Sequence, residues 1–180
     1  MDLRKRLAQL DRLSRRPAES AGAAATDVTV AATDRRPVLE DLGLADRPTD
    51  QGTVWCRRSN DPVPRPDTPR PELGEVFSRP ADPDVAVERL LFLDTETTGL
   101  AGGTGTIPFL VGVSWWEGDT LATRQYFLPE PGHEAAMLAD LAELAAGFDV
   151  VVTFNGASFD LPLLRTRARL NRLNHPLDAL

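Results

Sequence analysis

The stretch Leu90–Leu100, LLFLDTETTGL, constrains the fold more than any other part of the chain. Its four leading apolar residues read as a strand bound for a core. Two acids, one residue apart, then end it. Side chains two apart on a strand share a face, so Asp94 and Glu96 project together and Thr95 projects opposite. Neighbouring carboxylates repel, and each strengthens the other's hold on a proton. A fold accepts that arrangement where a cation neutralises it. Hard oxygen donors on one rigid strand suit Mg²⁺ or Mn²⁺. Taken alone, such a pair is a weak signal, because acids also cap turns at solvent edges.

A second acid follows a second apolar run. DVVVTF at 149–154 reads as a buried strand, and Asn155-Gly156-Ala157-Ser158-Phe159-Asp160 turns out of it into a helix. Ser158 is the expected cap, and the helix is expected from Phe159 to about Leu173, with Pro162 tolerated in its first turn. If 149–154 lies parallel to 89–95 through a right-handed crossover, both strands end on one sheet edge, where α/β folds bind ligands. Asp160 would then join Asp94 and Glu96 around one cation cluster. Singly, each acid reads as structural; Asp160, for one, suits a helix N-terminus.

Between these runs the patterning is regular. IPFLVGVSWW at 107–116 alternates as a strand, Glu117-Gly118-Asp119 is a turn, and TLATRQYFL at 120–128 returns as a hairpin partner. Residues 133–146 place Met137, Leu138, Leu141, Leu144 and Ala145 on one helical face, and Gly147 stops it. The order predicts an α/β domain over 86–180: a mixed sheet with flanking helices.

The first half reads differently. Residues 1–16 are expected to form a basic amphipathic helix, with a solvated face as its simplest role. Residues 17–85 are rich in Ala, Thr, Asp and Pro and are expected to be largely irregular and loosely ordered, with one short strand near 53–58. Five prolines between Pro62 and Pro71 make a stiff linker. The net charge is −7. Nearly all of it falls in the second half, where a generic nucleic-acid binder would carry Lys and Arg. Phosphates there would need metal ions for company. Arg165, Arg169 and Arg172 make one helical stripe, read first as a solvated face and second as a phosphate track. The lone Cys56 fits a reducing compartment. With no leader pattern and no membrane-length apolar run, the expected location is cytoplasmic. His133 and His175 read as surface residues. GGTG at 102–105 lacks the features of a phosphate loop.

DTETTGL at 94–100 resembles the first motif of the DEDD superfamily of DnaQ-like 3'-to-5' exonucleases, which have a ribonuclease H-like fold. FNGASFDLPLL at 154–164 resembles the second motif. With GGTGTIPFLVGVSWW between them, the pair is most similar to the YprB-type ribonuclease H-like subgroup, over roughly residues 88–176. The resemblance implies that Asp94, Glu96 and Asp160 hold metal ions, two in the complete protein. It implies that Thr97, Thr98, Gly99, Leu100, Asn155 and Phe159 hold the terminal nucleotide of a DNA or RNA strand. The family also has a fourth acid, an Asp a few residues after a His or Tyr that serves as general base. His175 and Asp178 lie too close to Asp160 for that role. The resemblance therefore implies a domain truncated at its C-terminus, and such a domain can lack activity and full stability. Two functions follow: a metal-dependent exonuclease, or a ribonuclease H-like module that binds nucleic acid or a protein without turnover. Fold alone does not separate them.

Overall fold

The computed structural model describes residues 35–63, 85–99, 105–154 and 156–173. All of them fall within one compact unit. The expected helix at 1–16 and the linker prolines Pro64, Pro66, Pro69 and Pro71 lie outside the described residues, as do His175 and Asp178.

A single six-stranded mixed sheet organises the fold. In chain order its strands are β1 (Ala45–Thr49), β2 (Gly52–Asp61), β3 (Leu90–Thr97), β4 (Pro108–Glu117), β5 (Thr120–Phe127) and β6 (Val150–Val152). Across the sheet they run β1-β2-β5-β4-β3-β6. The β3–β4 and β4–β5 pairs are antiparallel, while β3 and β6 are parallel. Gly118, at φ +59°, takes the left-handed conformation that the β4–β5 turn requires. The helices are α1 (Arg36–Asp41), α2 (Glu134–Ala145) and α3 (Asp160–Leu170). This is the mixed sheet with flanking helices that the resemblance implies.

Strand alternation decides which face is covered. Leu91 and Leu93 of β3, Val111, Val113 and Trp115 of β4, and Ala122 and Tyr126 of β5 point to one side. There they pack with Met137, Leu138 and Leu141 of α2 and Leu164 of α3. The other side is covered only at its ends among the described residues. Leu39 and Leu44 pack on Trp55 at one end. Val87, Leu90 and Trp116 cluster at the other.

The N-terminal region departs from expectation. Residues 36–61, expected to be irregular apart from one short strand, form α1 and a hairpin that extends the sheet. The strand expected at 53–58 runs from Gly52 to Asp61 and pairs with β5 from Trp55↔Phe127 to Asp61↔Leu121. Its partner β1 reads ADRPT and is almost wholly exposed. As the sheet's edge strand it tolerates Pro48 and shows no apolar alternation, so nothing local announces it. The strand expected at 149–154 is shorter, ending at Val152.

Helix α3 begins one residue later than its cap was expected. Phe159, not Ser158, occupies the N-cap, and the helix ends at Leu170. Arg172 therefore falls beyond the helix, at φ +58°, and does not continue a stripe with Arg165 and Arg169. Among the described residues no helix is long and apolar enough to cross a membrane.

A buried polar knot joins α2 to the sheet. Asp140 accepts hydrogen bonds from the Tyr126 hydroxyl at 2.9 Å and from Arg124 at 3.1 Å, and pairs with Arg47 of β1. Burial pushes the Tyr126 hydroxyl above its ordinary pKa near 10, and the Arg124 hydrogen bond offsets part of that. The fold thus prefers the neutral phenol. Its contribution is complete below pH 10 and is lost as pH rises through the folded value. Urea midpoints measured from about pH 9 to 11 should fall more steeply for the wild type than for Tyr126→Phe. Equal alkaline slopes would contradict the assignment.

Candidate metal centre

The pleat of β3 sorts its residues cleanly. Phe92, Asp94 and Glu96 are exposed on the open face, while Leu91 and Leu93 are buried and Thr95 is half-buried on the helix side. Asp94 and Glu96 stand about 6.8 Å apart along the strand, by its rise per residue. Among the described residues neither carboxylate meets a hydrogen-bond donor or a cation. Opposite Asp94 in register sits Gly112, and a Cβ built there would meet nothing within 4 Å. The glycine leaves a hollow beside the carboxylate. Directly after Glu96 the register shifts, with Leu110 opposite Glu96 and Pro108 opposite Thr97. Bulges of this kind re-aim side chains at strand ends beside functional sites.

Asp160 is placed differently from the two strand acids. It is 4% exposed at the first position of α3. Thr95, on the helix side of β3, donates its hydroxyl to Asp160 Oδ1. Asp160 Oδ2 meets no donor among the described residues. The expected three-carboxylate cluster is not assembled: no group of three His, Cys, Asp or Glu side chains among the described residues is placed to hold a metal ion. The reason is the strand's alternation. Asp160 follows Thr95 to one side of β3, while Asp94 and Glu96 point to the other.

The donor chemistry nevertheless suits a hard cation. Among the described residues the three carboxylates share a single hydrogen-bond donor, and one oxygen of Asp160 is buried with no partner. Buried acceptors are rarely left so, and an ion is one of the standard reasons.

The residues expected around a terminal nucleotide are mostly turn-builders here. The Thr97 hydroxyl donates to the Gly99 carbonyl at 2.9 Å. Thr98 exchanges two bonds with Ile107, its amide donating to the carbonyl at 3.0 Å and its Oγ1 accepting from the amide at 3.1 Å. These bonds tie the end of β3 to the start of β4. Phe159 is half-buried. Leu100 and Asn155 lie outside the described residues.

Sequence reading missed Gly156. A Cβ there would stand 2.0 Å from Thr153 Oγ1, so only glycine fits beneath the Thr153 side chain. Its carbonyl accepts the Leu161 amide at 2.9 Å and so helps start α3. The dipeptide Asn-Gly was a visible turn signal, though not for this close approach.

Thr95 gives a direct test of this geometry. Thr95→Val keeps the shape but strips Asp160 of its donor, and should cost about 1–3 kcal/mol of folding stability in urea melts. Thr95→Ser should cost much less. Equal losses in the two variants would show that the hydroxyl does not hold Asp160.

Comparison with known proteins agrees with this architecture. Residues 91–179 match a family model described as the RNase_H superfamily. A stretch of 84 residues is 43% identical to the "Uncharacterized protein YprB" of Bacillus subtilis (strain 168). That alignment covers 46% of this chain and 20% of the relative, so this chain matches only about a fifth of the relative's length. The mixed sheet and the parallel β3–β6 pair are consistent with a ribonuclease H-like fold, and residues 91–179 are similar to the RNase_H superfamily.

Proposed function

We propose that this domain is a divalent-metal-dependent 3'-5' exonuclease, removing terminal nucleotides by attack of water on the last phosphodiester. The observation that carries the reading is the Asp94–Glu96 pair. Two carboxylates stand exposed on one face of a strand whose other face is locked in the core, and among the described residues no group neutralises them. In this reading Asp94 and Glu96 hold the metal, and Asp160, bonded to Thr95 on the other side of β3, does not reach it as it stands. Mg²⁺ or Mn²⁺ is the cation of choice for such a set, with two ions in the working site. A bound divalent cation lowers the pKa of water and offsets charge building on the phosphoryl oxygens.

The chain's own residues would then orient the strand end. The turn at Thr97–Gly99 offers backbone amides at the sheet edge, and Leu100, Asn155 and Phe159 complete the terminal-nucleotide contacts. The hydroxyls of Thr97 and Thr98 and the amide of Thr98 are already engaged with the loop, so these bonds would shape the turn around the substrate. The nucleic acid enters as a single-stranded 3' end of DNA or RNA.

A second reading is a ribonuclease H-like module that binds nucleic acid without turnover. The turned-away carboxylate of Asp160 favours it, because a site short of one ligand binds metal weakly.

One assay separates the two. With a 5'-labelled single strand and Mn²⁺, the exonuclease reading expects a ladder of stepwise 3' shortening. Chelation, Asp94→Asn or Glu96→Gln should each remove it. Shortening that survives Asp94→Asn would sink the metal assignment. A retained gel shift with no shortening would establish the binding module instead.

A further inference from the structure

The open face of the sheet changes character between its ends. Leu39 and Leu44 pack on Trp55 at one end, and Val87 and Trp116 pack with Leu90 at the other. Between them, two cross-strand rows run from β3 to β2. One is Asp94, Gly112, Gln125 and Arg57; the other is Phe92, Ser114, Thr123 and Ser59. Across β4, β5 and β2 neither row holds an apolar side chain. The Ser114 and Thr123 hydroxyls bond to each other at 2.9 Å, and a Cβ at Gly112 would meet nothing within 4 Å. A face built to receive another helix or an apolar partner would carry aliphatic side chains here, as the covered face does. This floor of short and polar side chains suits a polar ligand instead.

The β2 side of the floor offers a cation. Arg57 is exposed, and its Nε donates to Gln125 Oε1 at 2.6 Å. That bond fixes the guanidinium and leaves Nη1 and Nη2 without a partner among the described residues. Asp46, one row away on β1, is taken by Arg36 at 2.8 Å. Asp94, three strand spacings off, and Asp61, four residues along β2, each lie about 14 Å away by backbone spacing, beyond a Debye length at physiological salt. A guanidinium held at one nitrogen and open at the other two is a fork suited to phosphate oxygens. The β3 side offers rings. Phe92, on the same face as Asp94, is 36% exposed, and Phe154, just past β6, is 91% exposed. Among the described residues these are the two exposed aromatic side chains. A ring left in water can stack on any base, because every base has a π-face.

We propose that the open face carries a single-stranded nucleic acid across the sheet, with a base stacked on Phe92 and a phosphate in the Arg57 fork. Stacking on a protein ring needs a base free of its own partner, which a single strand offers and a duplex does not. The span from β3 to β2 matches roughly four nucleotides of a stacked strand, at ~3.4 Å each. The hairpin that precedes the family-matched residues 91–179 thereby becomes part of the interface. The inference rests on the nucleic-acid reading above and needs neither metal nor turnover.

Binding is read by fluorescence anisotropy of a labelled single strand of roughly 12 nucleotides, with the full chain in EDTA so that nothing is cut. Titrations span roughly 50 to 200 mM salt. Arg57→Ala should weaken binding about fivefold and reduce the log–log salt slope by about 0.7, the share of one phosphate on a single strand. Arg57→Lys should keep the slope and recover part of the affinity. Arg58→Ala is the control and should change neither, because Arg58 points to the covered face, over the Trp115 ring, and pairs with Glu117. Phe92→Ala should weaken binding roughly tenfold at an unchanged slope; should it not fold, Phe92→Leu keeps the bulk, loses the ring and should weaken binding in the same way. A wild-type slope in Arg57→Ala overturns the proposal, as does a loss in Arg58→Ala as large as that in Arg57→Ala. Absence of wild-type binding in EDTA also overturns it; where the Mn²⁺ assay still shows 3' shortening, the nuclease reading stands and this proposal alone fails. A wild type that neither binds nor shortens a single strand overturns both.

Discussion

The two-residue period of β3 is the constraint on which the rest of the site depends. Leu91 and Leu93 press into the packed side of the sheet, and that burial holds the strand rigid. Asp94 and Glu96 inherit the rigidity while standing exposed on the other face. An exposed carboxylate on a loop would have to be ordered when a cation arrives, at an entropic cost; on a strand locked from behind, most of that cost is met by folding. The same period turns Thr95 inward, where it meets the first residue of α3. One strand thus presents charge on its open face and fixes a helix with its covered face.

The two buried acids of α2 divide the remaining work. Asp140 ties the helix down to β5 and across to the N-terminal hairpin, while Glu134 reaches sideways to α3. His133, next to Glu134, donates from Nδ1 a 2.9 Å hydrogen bond to the Thr53 carbonyl of β2, so the start of α2 is pinned from the hairpin side as well. Asp140 has three side-chain partners, and Glu134 accepts three hydrogen bonds from two, Arg167 and Asn171. That full satisfaction is what makes the burial tolerable, since an unpaired charge at either position would be costly. The N-terminal hairpin is therefore part of the mount: it widens the sheet and anchors the helix that in turn holds α3.

What could be read from the sequence followed periodicity. The β4–β5 hairpin and α2 were visible because their apolar residues recur at the right spacing around a clear turn. β1 was not, since an exposed edge strand carries no alternation and its pairing is a long-range fact. The acids of α2 were also invisible as buried groups. Glu134 and Asp140 sit among apolar residues in sequence, and only the arrival of Arg167, Asn171, Arg124 and Tyr126 from elsewhere makes their burial possible. At the site itself, the shared face of Asp94 and Glu96 was legible from geometry alone. The place of Asp160 was not, because it depends on which side of β3 the turn through Gly156 delivers the helix. That is decided by the close fit of Gly156 under Thr153, which no spacing rule reports.

Charge gives the arrangement its direction. The Asp94–Glu96 pair alone repels any phosphate, and the half of the chain that contains it is strongly acidic. Across the open face, the row that begins at Asp94 passes Gly112 and Gln125 and ends at Arg57, whose Nε is held by Gln125 at 2.6 Å. Three strand spacings separate that cation from the carboxylates, about 14 Å, beyond a Debye length at physiological salt. Arg57 therefore cannot neutralise the pair, whatever it does for a strand lying across the face. Under the proposed function the local charge is −2 without metal, zero with one divalent ion and +2 with two. A phosphate is repelled in the first state and attracted in the last. Affinity for nucleic acid at this edge then depends on metal even where no bond is cut, unlike a surface that binds through Lys and Arg, where divalent salt only competes.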